Sequence, residues 1–122
     1  MIKQNNVILE KSYKFALRII RLYLHLTKEK KEYELSRQIL RCGTSIGANV
    51  EEAVGGYSKK EFLNKMNIAY KEARETNYFL RLLRDSKLIE LKLAQSFIQD
   101  IEELIKILTK IQITTKVNLS KK

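Results

Sequence analysis

Proline is absent from the chain, where ordinary usage over 122 residues would supply about six. No strand-like alternation of Val, Ile and aromatic residues stands in for it, so the chain reads as all helix. Tryptophan is also missing, and there is one cysteine and one histidine. A lone Cys42 excludes an internal disulfide, and with His25 it is too little for a protein-only zinc site. A di-iron carboxylate bundle needs Glu-x-x-His pairs, yet Leu22 stands three before His25. No metal or cofactor is therefore expected. No apolar run approaches the roughly 18 residues of a membrane-spanning helix. The first residues, MIKQNNVILEKSYKF, lack the apolar core of a signal peptide. The cytoplasm is the expected compartment, and no membrane association is expected.

What the chain has in excess is positive charge: 24 Lys and Arg against 14 Asp and Glu, a net +10, with a sequence pI near 9.7. Such a balance favours phosphate-bearing or otherwise acidic partners, nucleic acid first. The excess is uneven, with eight cations against two acids over residues 1–31 and eight against four over 58–87. Hydrophobic residues make up 44% of the sequence, too many for a disordered basic tail. One folded domain is expected, without internal repeats.

Apolar spacing predicts four helices over about 6–28, 33–54, 59–85 and 89–113, folded as an up-down-up-down bundle, with a frayed tail over 114–122. Asn6 is the expected N-cap of the first helix. The apolar face of that helix is wide enough to imply two neighbouring helices or a subunit contact. Gly55 and Gly56 are expected to end the second helix in the left-handed conformation. Ser58 and Glu61 form a capping box for the third, with Tyr57 and Phe62 placed as a hydrophobic staple.

Two faces carry the charge. Lys11, Lys14, Arg18, Arg21, His25 and Lys28 recur at steps of three and four, which stacks them along one side of the first helix. Like charges at that spacing repel, so the stripe points to a polyanion, with a solvated face as the alternative. On the third helix Lys71, Arg74, Tyr78 and Arg81 repeat the spacing, with Lys60, Asn64 and Asn67 upstream. This second face offers cations for phosphates and a tyrosine for an unpaired base. Its alternative is that Lys71 and Arg74 pair with Glu75 or Glu72 and that Tyr78 packs at the core edge. Arg18 and His25 also have the residue types of a metal-independent ribonuclease, a pattern that chance supplies readily in so basic a chain.

Within the second helix the run Cys42-Gly43-Thr44-Ser45-Ile46-Gly47-Ala48-Asn49 is unusually small. Interior glycines cost about 0.5–1 kcal/mol each relative to alanine, so close helix approach is the expected gain. Asn49, Glu51 and Glu52 follow, and with Arg74 they are expected to form a buried polar network that fixes helix register.

Residues 41–56, RCGTSIGANVEEAVGG, and 57–84, YSKKEFLNKMNIAYKEARETNYFLRLLR, closely resemble the four-helix-bundle proteins encoded within intervening sequences of bacterial 23S ribosomal RNA genes. The shared core is Ser45-Ile46-x-Ala48-Asn49-Val50-x-Glu52-Ala53, followed by Lys71-Glu72-Ala73-x-Glu75-Thr76 and Leu80-x-Leu82-Leu83. The resemblance implies a bundle that assembles as a ring, a homopentamer, with a basic surface and no established enzymatic activity. A similar bundle is the accessory protein of reverse transcriptases in diversity-generating retroelements, where it binds the polymerase and nucleic acid. The expected function is thus a non-enzymatic, oligomeric nucleic-acid-binding bundle, RNA foremost. The alternatives are an assembly module for an acidic or polymerase protein partner and, third, the ribonuclease.

Overall fold

The structure is a computed structural model that describes residues 3–121. It consists of four helices, α1 Lys3–Lys28, α2 Leu35–Val54, α3 Lys59–Asp85 and α4 Leu91–Ser120. Consecutive helices pack tightly side by side, and α4 returns to α1 across a looser seam that closes the bundle. The core is the apolar stripe of every helix: Ile8, Phe15, Ile19, Leu22 and Leu26 meet Ile39, Ile46, Val50, Met66, Leu80, Leu83, Phe97, Ile101, Leu104, Leu108 and Ile111. Phe15 and Phe97 make an edge-to-face pair across the α1–α4 seam, with ring centroids 6.3 Å apart.

Where α2 meets α1 the small residues let the backbones close. A Cβ on Gly43 would lie 2.9 Å from Ile19 Cγ1, and one on Gly47 would lie 3.4 Å from the Ser12 carbonyl oxygen. On its other side α2 is tied to α3 by Arg41, which donates to Glu72 at 2.9 Å and to Glu75 at 2.7 Å. The hydrogen bond to Glu75 and both nearby carboxylates hold the guanidinium pKa above its ordinary value. The expected network of Asn49, Glu52 and Arg74 does not form. Asn49 donates to Ser45 within its own helix, Glu52 pairs with Lys65 at 2.7 Å, and Arg74 donates to the Tyr70 hydroxyl. Arg41 has the reach to the buried Glu72 that Arg74, on the outward side of α3, does not.

The helix ends differ from expectation in instructive ways. Asn6 lies inside α1, since nothing from Lys3 onward interrupts the helix. Glu32 serves α2: its carboxylate accepts the N–H groups of Glu34, Leu35 and Ser36 at 3.1, 2.9 and 2.8 Å, satisfying donors that the helix leaves free. No glycine takes a left-handed conformation, and among the described residues the two that do are Lys31 and Lys87, one in the α1–α2 turn and one in the α3–α4 turn. Gly56 is small for a different reason, since a Cβ there would meet the Glu61 carboxylate at 2.5 Å. That carboxylate accepts from the Tyr57 N–H, while Ser58 Oγ accepts from the Glu61 N–H, each at 3.1 Å. Tyr57 itself is 99% exposed, so the hydrophobic staple is absent. The tail over 114–120 is helical rather than frayed. Buried Thr115, donating to the Ile111 carbonyl, continues the core stripe with a polar residue that apolar periodicity does not register.

Candidate nucleic-acid interface

The six basic positions of α1 separate into two rows. Lys11, Arg18 and His25, seven residues apart, turn toward α4, and Lys14, Arg21 and Lys28 turn outward. Lys11 pairs with Glu103 at 3.2 Å, and Arg18 pairs with Asp100 at 2.5 Å while also donating to Ser96. The Arg18 guanidinium lies 4.0 Å from the Phe97 ring centroid, capping the core where the seam is loosest. His25 is half-buried and borders a shallow groove with Leu22, Leu93 and Phe97. Lys14 has its own Glu10 at 3.9 Å, whereas Arg21 and Lys28 have no carboxylate within 4.0 Å among the described residues. Five formal cations thus stand against three carboxylates, and much of the stripe's charge is spent within the fold.

The outward face of α3 is different. Lys60, Asn64, Asn67, Lys71, Arg74, Tyr78 and Arg81 are all exposed along it, and none of the four cations has a carboxylate partner within 4.0 Å among the described residues. Glu72 and Glu75, the carboxylates nearest in sequence, are held by Arg41 from α2. Asn67 accepts from Gln112 of α4 at 2.8 Å. Two guanidiniums sit beside tyrosines on this face. Arg74 lies 5.8 Å from the Tyr70 ring centroid and Arg81 lies 5.8 Å from that of Tyr78, which is half exposed and braced edge-on by Phe79. Asn77 steers Arg81 by accepting from its Nε at 2.8 Å. Tyr70 and Asn77 complete the face although the charge spacing alone does not single them out. Arg84, on the same helix, is bound to Asp85, whose pKa that hydrogen bond lowers.

Among the described residues no three His, Cys, Asp or Glu side chains are grouped to hold a metal ion, and no helix is long and apolar enough to cross a membrane. The small-residue positions Gly43, Ser45, Gly47 and Asn49 face α1 or their own helix, and Glu52, Ser58 and Glu61 serve ion pairing and capping. They contribute to the scaffold and stand apart from the α3 face.

No curated protein matches the chain. In fold and sequence it is similar to a protein of unknown function from the S23 ribosomal protein family of Bacteroides thetaiotaomicron VPI-5482. That crystal structure is 47% identical, with a TM-score of 0.88 over 89% of this chain and 97% of the other. The family described as 23S rRNA-intervening sequence protein matches residues 4–110, so α2, the basic face of α3 and the first two-thirds of α4 lie within the matched span, and the chain belongs to that family.

Proposed function

We propose that this protein is a non-enzymatic RNA-binding bundle, acting in the cytoplasm, whose principal contact surface is the outward face of α3. The observation that carries the proposal is that, among the described residues, Lys60, Lys71, Arg74 and Arg81 have no carboxylate partners there, while Lys11 and Arg18 of α1 are engaged by α4. Unneutralised cations in a row track a phosphate backbone. Tyr70 and Tyr78, each beside a guanidinium, add flat surfaces for unpaired bases, which favours single-stranded over duplex RNA. The family's description supports an association with ribosomal RNA in general terms. A ring of subunits, which the resemblance implies, would repeat the face and raise affinity through avidity. Arg18, held between Asp100 and Phe97, is poorly disposed to steady a phosphorane, which argues against the ribonuclease.

Fluorescence titration with a labelled single-stranded RNA tests the proposal. Tyr78→Ala is expected to weaken binding by about 1–3 kcal/mol per stacked base, with a smaller effect on a duplex of the same length. Equal loss on both, or none on either, would overturn the stacking role.

A further inference from the structure

The outer side of α1 carries a second apolar seam. Tyr13, Leu17, Ile20 and Leu24 are 62%, 41%, 41% and 42% exposed, although four large apolar side chains in line normally mark a covered surface. Their steps of four, three and four are those of the a and d positions of a coiled coil. Each precedes a residue of the basic stripe by one and a core residue by two, so at about 100° per residue the seam lies nearly opposite the core. Half-buried Leu9, Ala16 and Tyr23 flank it on the α2 side. Lys14, Arg21 and Lys28 flank it on the other, filling one of the two edges along which a coiled coil selects its partner by charge.

A symmetric antiparallel contact with the same seam of a second copy is a poor match to that pattern. An antiparallel α1–α1 pair would set Lys14, Arg21 and Lys28 against the same three cations of the partner. The other exposed apolar pair along a helix, Ile113 and Val117, has Lys110 and Lys116 beside it and so offers no acids either. We infer that the outer seam of α1 receives an amphipathic helix of another protein, one with an apolar a/d stripe and carboxylates along the edge that meets Lys14, Arg21 and Lys28. The helix lies across Leu17 and Ile20, and its acids give Arg21 and Lys28 the partners that they lack among the described residues. This surface is distinct from the outward face of α3, so RNA and the helix are accommodated together.

Two designed three-heptad peptides, alike in their Leu and Ile stripe, one with Glu and one with Lys at the flanking positions, are the probes. Fluorescence anisotropy against the intact protein is expected to show the Glu peptide binding at least tenfold tighter than the Lys peptide. K14E/R21E/K28E is expected to reverse that preference. L17E/I20E, placed at already exposed positions, is expected to weaken the Glu peptide at least tenfold with an unchanged circular dichroism spectrum. Failure of the Glu peptide to bind, equal binding of both peptides, or a preference that survives the charge reversal overturns the inference. Sedimentation of L17E/I20E as a 14.4 kDa monomer when the unmodified protein sediments as a multiple overturns it too, because a second copy then covers the seam.

Discussion

Gly43 and Gly47 sit one turn apart on α2 and meet neighbours of different stiffness. The Cβ of Gly43→Ala would press on Ile19, a β-branched and fully buried side chain with Cγ1 at 2.9 Å and Cγ2 at 3.0 Å. Overpacking of this kind costs about 1–3 kcal/mol and outweighs most of the helix propensity that alanine brings. Gly47→Ala meets Ser12 at 3.4 Å, an ordinary contact, so it is expected to be neutral or to stabilise by up to about 1 kcal/mol. Denaturant unfolding of both variants measures the difference. On the same helix, buried in the core, Cys42 has a thiol pKa that is raised because burial disfavours the thiolate. A thiol with its folded pKa above its unfolded one adds stability that is complete below the unfolded pKa and is lost as pH rises through the folded one. Iodoacetamide at pH 8 is expected to leave the native protein unmodified and to alkylate one thiol per chain in guanidinium. Rapid native alkylation would contradict the burial.

At the scale of the element, the α1–α4 seam depends on one arginine. Arg18→Gln removes both the Asp100 ion pair and the cover over Phe97, and is expected to cost about 1–2 kcal/mol. Arg21→Gln, one turn along on the exposed side, is expected to stay within about 0.5 kcal/mol of the parent. Thermal melts of the two variants test the assignment of inner and outer rows. Truncation after Thr114 is expected to lower the melting temperature, because Thr115 and half-buried Leu119 are packed. The helices and the bundle were legible in the sequence because apolar spacing and the absence of proline act locally. The end of α4 was not, because a threonine there fills a core position that a hydrophobic pattern skips. The stripe of α1 was legible as a stripe, but what stands opposite it is set by Asp100, 82 residues from Arg18, which no local spacing reveals. On α3 the row of Lys71, Arg74, Tyr78 and Arg81 was legible from spacing, whereas Tyr70 and Asn77 beside it were not, since neither carries charge. The row's freedom from carboxylates rests on Arg41, a residue of α2, taking Glu72 and Glu75 away from it.

For the whole molecule, a surplus of ten positive charges on each chain favours polyanions of any kind, so overall charge alone would produce weak RNA binding without any particular face. Phosphate contacts confined to α3, with a protein partner on α1, would instead make the two faces respond differently to loss of charge. Light scattering is expected to return a multiple of 14.4 kDa, with assembly unaffected by the α1 charge variants. Two triple variants of equal charge separate the faces: K71Q/R74Q/R81Q on α3 and K14Q/R21Q/K28Q on α1. The deciding measurement is the dependence of single-stranded RNA affinity on salt for the parent and both variants. With about 0.7 counterions released per contact on a single strand, loss of three contacts is expected to flatten the α3 variant's slope by about 2. The α1 variant is expected to keep a slope near that of the parent. Equal flattening in both, or a larger change in the α1 variant, would contradict the assignment of the RNA face to α3.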